Sequence, residues 1–210
     1  MIRSIFLGSF NPPHIGHASV LKSVVDSVLY NSDGNAFIVD KIHVIPCWKN
    51  PNKMNTIDFN DRYNMCKMSF DGISDKIFVD DIENVIRPNY TFYLIEYFRH
   101  TYGDFWWIIT PETFYEMIRG EWKNGDDLIE NNKFIILSDG SGVDENNIID
   151  HFKRRYLDSN IKNICFLNLK CEHDIHSTNI RNLVKSGNSI SKYVNKNTED
   201  YILKNNLYKL

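Results

Sequence analysis

The chain has 210 residues, of which 42% are hydrophobic and 24% charged, and its formal net charge is −3. This length suits one domain, or one domain with a small appendage, and the composition is typical of a globular protein. The slightly negative charge argues against a nucleic-acid partner, which would need a basic surface. The apolar runs are shorter than a membrane span and no signal-peptide pattern opens the chain, so we expect a cytoplasmic protein without membrane contact.

Strand-like and helical patterns alternate along most of the chain. A strand over 2–7, a helix over about 15–30, a strand over 42–45, a helix over 58–70 and a strand over 76–79 come first. A helix over 91–101, strands over 105–109 and 134–137, a helix over 145–156 and a strand over 164–167 follow. This alternation predicts an α/β, Rossmann-like fold, in which a doubly wound parallel sheet is covered by helices on both faces.

The C-terminal part of the chain has a different pattern, with helices only from residue 177 onward. Asn197 is predicted to cap the last helix, with Glu199 and Asp200 in its first turn. We therefore expect a Rossmann-like core over residues 1–174 and a small C-terminal helical subdomain over 175–210, within a single compact unit. The four cysteines form no C-x-x-C pair, which disfavours a zinc site or a disulfide framework.

A segment rich in glycine, proline and histidine joins the first predicted strand to the first helix. It reads Gly8-Ser9-Phe10-Asn11-Pro12-Pro13-His14-Ile15-Gly16-His17. Ligands of open α/β sheets bind at the carboxyl ends of strands, where a helix N-terminus offers N–H groups to phosphate. His14 and His17 are three residues apart, so both imidazoles should project from one side of the first helical turn. The segment predicts a phosphate site; zinc is the weaker alternative, because no third ligand is in view.

A second candidate phosphate site lies far along the chain, at Ile175-His176-Ser177-Thr178-Asn179-Ile180-Arg181. Ser177 is a good helix N-cap, and Arg181 follows one helical turn later on the same face. A hydroxyl, a helix N-terminus and a guanidinium suit a polyphosphate. Taken alone, this pattern is weak, since capped helices that carry an arginine are common.

The two segments resemble the paired H-x-G-H and I-S-S-T-x-x-R motifs of the nucleotidylyltransferase superfamily. The resemblance implies that His14 and His17 bind the phosphates around the transferred group. It assigns the outer phosphates of ATP to Ser177, Thr178 and Arg181. Further ATP contacts implied around the first motif are those of Gly8, Ser9, Phe10 and Gly16. His176 departs from the family pattern, which usually has a serine there.

Other elements resemble bacterial nicotinate mononucleotide adenylyltransferases. Residues 46–53 are similar to their P-x-x-x-P-P-H-K loop, which Arg62 and Met65 continue, and residues 89–91 to their S-Y-T element. Residues 108–112 match I-I-G-x-D, Glu121-Trp122 matches T-W, and Tyr193-Val194, Tyr201-Ile202 and Leu207-Tyr208 match the family's C-terminal pattern. The resemblance implies that Trp122 stacks on the pyridine ring, although a core position is an alternative. The mononucleotide-binding residues implied are Lys49, Lys53, Tyr90, Thr91, Glu112 and Trp122.

The expected reaction is adenylyl transfer from ATP to nicotinate or nicotinamide mononucleotide, with release of pyrophosphate. Mg²⁺ is expected as cofactor, bound mainly through the ATP phosphates. Asn52, Thr110 and Glu112 replace the family's His, Gly and Asp, so the choice between the acid and the amide stays open. The alternatives are another small adenylyltransferase, such as the phosphopantetheine enzyme, or a non-catalytic nucleotide sensor. A homo-oligomer is compatible with the sequence.

Overall fold

A computed structural model describes residues 1–48, 56–87, 90–138, 145–156, 162–169 and 176–209. Its strands are β1 (Arg3–Gly8), β2 (Leu29–Tyr30), β3 (Ala36–Phe37), β4 (Lys41–Pro46), β5 (Ile77–Val79), β6 (Phe105–Ile109), β7 (Lys133–Ser138) and β8 (Ile164–Asn168). Its helices are α1 (Ile15–Asp26), α2 (Phe59–Phe70), α3 (Ile82–Ile86), α4 (Thr91–Tyr102), α5 (Pro111–Ile118), α6 (Gly125–Glu130), α7 (Glu145–Arg155), α8 (Ser177–Lys185) and α9 (Lys196–Lys204).

The main sheet has six strands in the order β5-β4-β1-β6-β7-β8. Counted along the chain within this sheet, that is the 3-2-1-4-5-6 order of nucleotide-binding, doubly wound folds. Strand pairs β1–β6, β6–β7 and β7–β8 are parallel, and Ile5 lies opposite Trp107 in the first of them. The predicted Rossmann-like parallel sheet with flanking helices is confirmed.

The predicted helix over 15–30 is too long, since α1 ends at Asp26. Leu29 and Tyr30 instead form strand β2, which pairs antiparallel with β3 in a separate two-stranded ribbon. Val28, which lies inside the predicted helix, is 51% exposed. The ribbon needs a turn that Gly34 supplies with φ of 79°. Pairing of Leu29 and Tyr30 with β3 across this turn takes the place of the last turn of the predicted helix.

The cap predicted for the last helix is also wrong. Asn195, not Asn197, is the N-cap of α9, and its side chain accepts a hydrogen bond from the Thr198 backbone N–H at 2.8 Å. The acidic residue in the first turn is Glu199, as expected. Asp200 instead forms an ion pair with Lys196 at 2.6 Å. The prediction failed because two asparagines lie near the helix start and either can act as a cap.

The chain divides into two compact units. The first unit comprises Met1–Phe6, Ser23–Ile42 and Pro88–Lys170. Its core is rich in aromatic side chains, and the Phe114 ring lies 5.1 Å from that of Phe134 and 6.3 Å from that of Phe152. Such ring pairs add to the free energy gained by burying their apolar area. These contacts fix α5 and α7 on strand β7.

The second unit comprises Leu7–Lys22, His43–Arg87 and Cys171–Leu210. Its core joins α2 to the C-terminal helices through a cluster of six buried apolar residues: Met65, Ile180, Val184, Ile190, Val194 and Ile202. Both predicted phosphate segments lie in this unit. None of the helices in the described ranges has the length and apolar character that crossing a bilayer requires.

Candidate active site

The first phosphate segment, defined here as residues 8–17, follows β1 and enters α1. Phe10 lies in the core, 2% exposed, with its backbone in the left-handed region at φ of 44°. Its ring meets that of His17 edge-on, with centroids 5.0 Å apart, and also meets Phe70 at 5.7 Å. A methyl group on Gly8 would lie 2.9 Å from Phe10 Cζ. Because Gly8 has no side chain, the Phe10 ring fits beside it and packs against the imidazole of His17.

The imidazoles of His14 and His17 lie side by side at the start of α1. Their ring centroids are 3.7 Å apart, with planes tilted by 35°. The His14 backbone N–H donates to His17 Nδ1 at 3.2 Å. When the ring of His17 is neutral, this bond places its proton on Nε2. The predicted arrangement of two imidazoles on one side of the first turn is confirmed.

His14 is buried, and its Nδ1 has no hydrogen-bond partner among the described residues. A methyl group on Gly16 would lie 3.0 Å from this nitrogen, so the glycine of the motif is needed to accommodate the ring. Burial, with a smaller contribution from the nearby His176, lowers the pKa of His14 to about 4. At neutral pH the ring is therefore uncharged, with a polar atom that only a ligand or water can satisfy.

Helix α8 approaches the first phosphate segment directly. The Ser177 hydroxyl donates to the Pro12 carbonyl oxygen at 2.8 Å. The Arg181 guanidinium donates from Nη1 to the Asn11 carbonyl oxygen at 2.8 Å, and from Nη2 to Thr178 Oγ1 at 3.0 Å. Within the second unit, the two motifs that are far apart in sequence are thus joined by hydrogen bonds.

The helix start differs from the predicted one. The N-cap of α8 is His176, which makes no side-chain capping bond, and Ser177 is the first helical residue. The physical reason is that Ser177 has helical backbone geometry, which an N-cap residue lacks, while its hydroxyl donates to the Pro12 carbonyl oxygen. The N–H groups of the first helical turn receive no side-chain cap from His176, and they suit an anion.

A buried arginine that sequence analysis did not assign to the site supports the same segment. Arg62 of α2 is 1% exposed and donates to three carbonyl oxygens, those of Ser9 at 2.9 Å, Trp48 at 3.0 Å and Ile57 at 3.2 Å. Burial lowers the pKa of the Arg62 guanidinium. A signal for this residue exists in the sequence, since Arg62 falls between Phe59 and Met65 on the apolar face of α2.

Glu83 completes this buried polar group. Its carboxylate accepts the Trp48 backbone N–H, while Arg62 binds the carbonyl of the same residue. Burial raises the pKa of Glu83 to about 7, against the opposing effects of the Trp48 N–H and of Arg62. The Trp48 ring is covered by Arg87, whose Cζ lies 4.5 Å from the ring centroid. Trp48 is therefore held by both its backbone and its side chain.

The residues expected to bind the mononucleotide lie on the first unit or outside the described residues. Tyr90 is exposed and caps α4, with Lys123 Nζ 4.2 Å from its ring centroid, and Thr91 is the first residue of that helix. Glu112 is exposed in the first turn of α5. Lys49 and Lys53, like the replaced Asn52, lie outside the described residues.

Thr110 has a structural explanation where the family has glycine. It is the N-cap of α5, and its Oγ1 accepts from the Thr113 backbone N–H at 3.3 Å. Pro111 occupies the first helical position, where a missing N–H costs nothing. Glu112 follows in the first turn, where a negative charge stabilises the helix. The two replacements thus form a strong helix start at the carboxyl end of β6.

Trp122 is half-buried, so its exposure is intermediate between that of a stacking residue at the surface and that of a core residue. Its indole Nε1 donates to Glu116 Oε2 at 3.0 Å. Its ring meets Trp107 edge-on, with centroids 6.1 Å apart. Trp107 is the fully packed core residue of the pair, at 2% exposure. Glu116 and Trp107 therefore fix the orientation of Trp122, while part of its ring stays accessible. Its stacking role stays a prediction.

The histidine, cysteine and acidic side chains of the described residues form no candidate metal centre. In those ranges, no group of three His, Cys, Asp or Glu side chains is arranged to hold a metal ion. Cys47, Cys66 and Cys165 form no disulfide bond. A divalent metal that accompanies a nucleotide through its phosphates needs no such group of protein ligands.

Comparison with known proteins places the chain among nucleotidyltransferases. A family model described as cytidylyltransferase-like matches residues 5–183. A probable nicotinate-nucleotide adenylyltransferase of Clostridium tetani is 30% identical over 99% of this chain and 98% of its own. One of Fusobacterium nucleatum is 34% identical over 96% of each chain. A solved structure of Plasmodium falciparum nicotinic acid mononucleotide adenylyltransferase complexed with NaAD shares the fold, with a TM-score of 0.77 at 23% identity and coverage of 98% and 96%.

Proposed function

The chain belongs to the cytidylyltransferase-like family and to the nicotinate-nucleotide adenylyltransferases, and from this premise we propose that it transfers the adenylyl group of ATP to nicotinate mononucleotide. The products are deamido-NAD and pyrophosphate. The acid is proposed as acceptor because the relatives are named for it. The cytoplasm is the proposed site of the reaction.

One observation carries the proposal. The paired imidazoles of His14 and His17 lie in the first phosphate segment, and the Ser177–Arg181 turn of α8 is hydrogen-bonded to this segment at Asn11 and Pro12. A triphosphate needs contacts along its length, and this arrangement offers imidazole, hydroxyl, guanidinium and helix N-terminal N–H groups within one unit. A binding site for a single phosphate would not require both motifs.

The proposed chemistry is an in-line displacement at phosphorus. An oxygen of the acceptor's phosphate forms a bond to the α-phosphorus of ATP, and the bond from that phosphorus to the bridging oxygen of pyrophosphate breaks. A phosphate monoester is already an anionic nucleophile, so no general base or covalent residue is needed. Catalysis then consists of positioning and of stabilising charge in the transition state.

The residue roles proposed here are those that the two motifs imply, and the geometry supports them. We assign to His14 and His17 the hydrogen bonds to the phosphates around the transferred group; before ATP binds, the His14 ring is neutral, given its pKa of about 4. Arg181, with Ser177 and Thr178, faces the leaving pyrophosphate. Gly8, Ser9, Phe10 and Gly16 shape the segment that holds the histidines. Mg²⁺ held by the ATP phosphates would neutralise part of their charge.

The acceptor half of the proposal rests on Tyr90, Thr91, Glu112 and Trp122, together with Lys49 and Lys53. Trp122 is suited to stack on a pyridine ring because Glu116 and Trp107 fix its indole plane. Orienting such a ring in advance lowers the entropy lost on binding. The tyrosine at position 90 and the lysine at 123 form a cation–π pair that adds an aromatic face and a positive charge.

The proposal is tested by pyrophosphate release from ATP with each mononucleotide in turn. We expect release that requires nicotinate mononucleotide and is slower with the nicotinamide form. Equal rates with both would make the enzyme indifferent to the carboxylate and would overturn the choice of acceptor. Release that needs neither mononucleotide would contradict adenylyl transfer itself. Phosphopantetheine in place of the pyridine nucleotide serves as the control for the neighbouring class of acceptor.

A further inference from the structure

The C-terminal Leu207-Tyr208 element matches a family pattern but has no role in the reaction proposed above. In the structure, the Tyr208 hydroxyl donates to Asn11 Oδ1 at 2.9 Å, across 197 positions of sequence. Asn11 lies inside the first phosphate segment, three residues before His14. The end of the chain therefore reaches the segment that carries both histidines.

The backbone after α9 is shaped to bring Tyr208 to this place. Asn206 and Tyr208 both have left-handed backbones, with φ of 53° and 64°. Between them, the Leu207 N–H donates to the Ile202 carbonyl at 3.0 Å and closes the helix end. A bulky residue such as tyrosine avoids this region unless its surroundings hold it there, and such residues gather at functional sites.

Two kinds of interaction hold Tyr208. Together with Leu207, its ring packs against the apolar cluster of the second unit that contains Met65 and Ile202. Burial raises the pKa of the Tyr208 hydroxyl far above its usual range, although nearby Arg181 opposes this. The hydroxyl therefore keeps its proton at neutral pH and can donate to Asn11.

Asn11 is bound at two of its atoms by residues of the C-terminal region. Its side-chain oxygen accepts from Tyr208, and its backbone oxygen accepts from Arg181 at 2.8 Å. The next carbonyl, that of Pro12, accepts from Ser177. Three residues further on, the Ile15 N–H at the start of α1 donates to the Tyr193 carbonyl at 2.9 Å. These contacts hold the segment on both sides of His14.

We infer that Tyr208 is a positioning residue, which fixes Asn11 and thereby the placement of the phosphate-binding histidines and of Arg181. The inference rests on the proposed function for its effect on turnover. It assigns Tyr208 no contact with substrate. A hydroxyl that holds a loop acts on catalysis because small displacements of reacting groups reduce the rate steeply.

Tyr208→Phe removes only the hydroxyl, and Tyr201→Phe is its matched control. Tyr201 belongs to the same C-terminal region, but its hydroxyl donates to Asp61 of α2 at 2.8 Å and not to the phosphate segment. We expect Tyr208→Phe to lower kcat/KM for ATP about 3–10-fold, the worth of one neutral hydrogen bond, and to leave the KM for the mononucleotide unchanged. Tyr201→Phe should leave both constants unchanged, although it should change the thermal unfolding temperature by about as much as Tyr208→Phe does.

Hydrogen exchange of the peptide that spans residues 8–17 gives a second readout that needs no turnover. The exchange should accelerate in Tyr208→Phe and not in Tyr201→Phe. If the wild-type protein makes no dinucleotide, the proposed function fails, and the exchange comparison still decides whether Tyr208 orders the segment. Unchanged exchange together with unchanged kcat/KM in Tyr208→Phe overturns the inference.

Asn11→Ala completes a double-mutant cycle with Tyr208→Phe. If the hydroxyl acts through the Asn11 side chain, the double variant loses no more kcat/KM than the Asn11→Ala variant alone. Losses that multiply would show that the two residues act independently, and would overturn the positioning role. Because Asn11→Ala keeps the backbone carbonyl, the Arg181 contact remains possible in every member of the cycle.

Discussion

Ser177 Oγ lies 2.8 Å from the Pro12 carbonyl oxygen, although the two residues are 165 positions apart. This bond uses the first hydroxyl of the second motif to hold the loop of the first. The same helix turn then presents Thr178 and Arg181, which are bonded to each other at 3.0 Å. The two motifs are therefore parts of one structure, in which the geometry of the histidines depends on the start of α8.

His17→Ala should abolish most turnover while the fold is retained. His17 is half-buried and its ring contacts Phe10 and His14, so its loss leaves a small gap and removes the acceptor of one hydrogen bond, that of the His14 backbone N–H. Removing a transition-state contact of this type lowers kcat on the order of a hundredfold. His100→Ala, at an exposed position of α4, is the control. Near-normal kcat in a folded His17→Ala protein would refute the role of this histidine.

Arg181→Ala should weaken ATP binding far more than AMP binding, since only ATP carries the outer phosphates. The measurement is calorimetric titration of both nucleotides. Lys185→Ala removes a positive charge one turn further along α8 and controls for the general electrostatic effect. Equal losses for ATP and AMP would show that the guanidinium acts only through its bond to Asn11.

Trp122→Ala should reduce affinity for the mononucleotide about tenfold and leave ATP binding nearly intact, because aromatic stacking contributes about 0.5–1.5 kcal/mol beyond area burial. Trp122→Phe keeps an aromatic ring but loses the bond to Glu116. Its affinity for the mononucleotide should therefore lie between those of the wild type and of Trp122→Ala. Truncation of a core tryptophan costs about 3–5 kcal/mol of stability. A loss of that size with unchanged mononucleotide affinity would make Trp122 a structural residue.

The stability of the protein should depend on His14 between about pH 6.5 and pH 4. The pKa of His14 is about 4 in the fold and 6.5 in a free side chain, so the unfolded chain takes up the proton first as the pH falls. The free energy of unfolding therefore decreases on acidification, by up to about 3 kcal/mol, and recovers above pH 6.5.

Comparison with His14→Gln isolates this contribution. Glu83, whose pKa is raised to about 7, acts in the opposite direction: the stability it contributes is present at low pH and is lost as the pH rises through that value. The free energy of unfolding is measured in denaturant for both proteins at each pH. Subtracting the values for His14→Gln from those of the wild type removes the contribution of Glu83, which both proteins share. Parallel curves from pH 4 to pH 7 would contradict the low pKa of His14.

The sheet was predictable because buried strands leave a strong sequence signal. The run Phe105–Ile109 is continuously apolar and was located to the residue. The short elements were not found, because β2, β3 and α3 are too brief to show a period. The end of α1 was misplaced since Val28 and Leu29 continue the helical pattern, while their pairing partner beyond Gly34 is visible only in three dimensions.

The two motifs of the candidate site could be located from the sequence, but the residues that hold them in place could not. His14, His17 and Arg181 stand at spacings that follow from helix geometry. Arg62 binds three carbonyls from separate parts of the chain, and no local pattern predicts which carbonyls a buried guanidinium will reach. Tyr208 is a similar case, because its partner Asn11 lies at the other end of the sequence.

The most direct test of the account is the fate of labelled phosphorus. ATP labelled at either the α- or the γ-phosphorus is incubated with the protein, Mg²⁺ and nicotinate mononucleotide, and the products are separated. We predict that the α-label enters a dinucleotide and that the γ-label leaves in pyrophosphate, in equal amounts. Transfer of the γ-label to the mononucleotide, or release of labelled pyrophosphate without any labelled dinucleotide, would contradict adenylyl transfer.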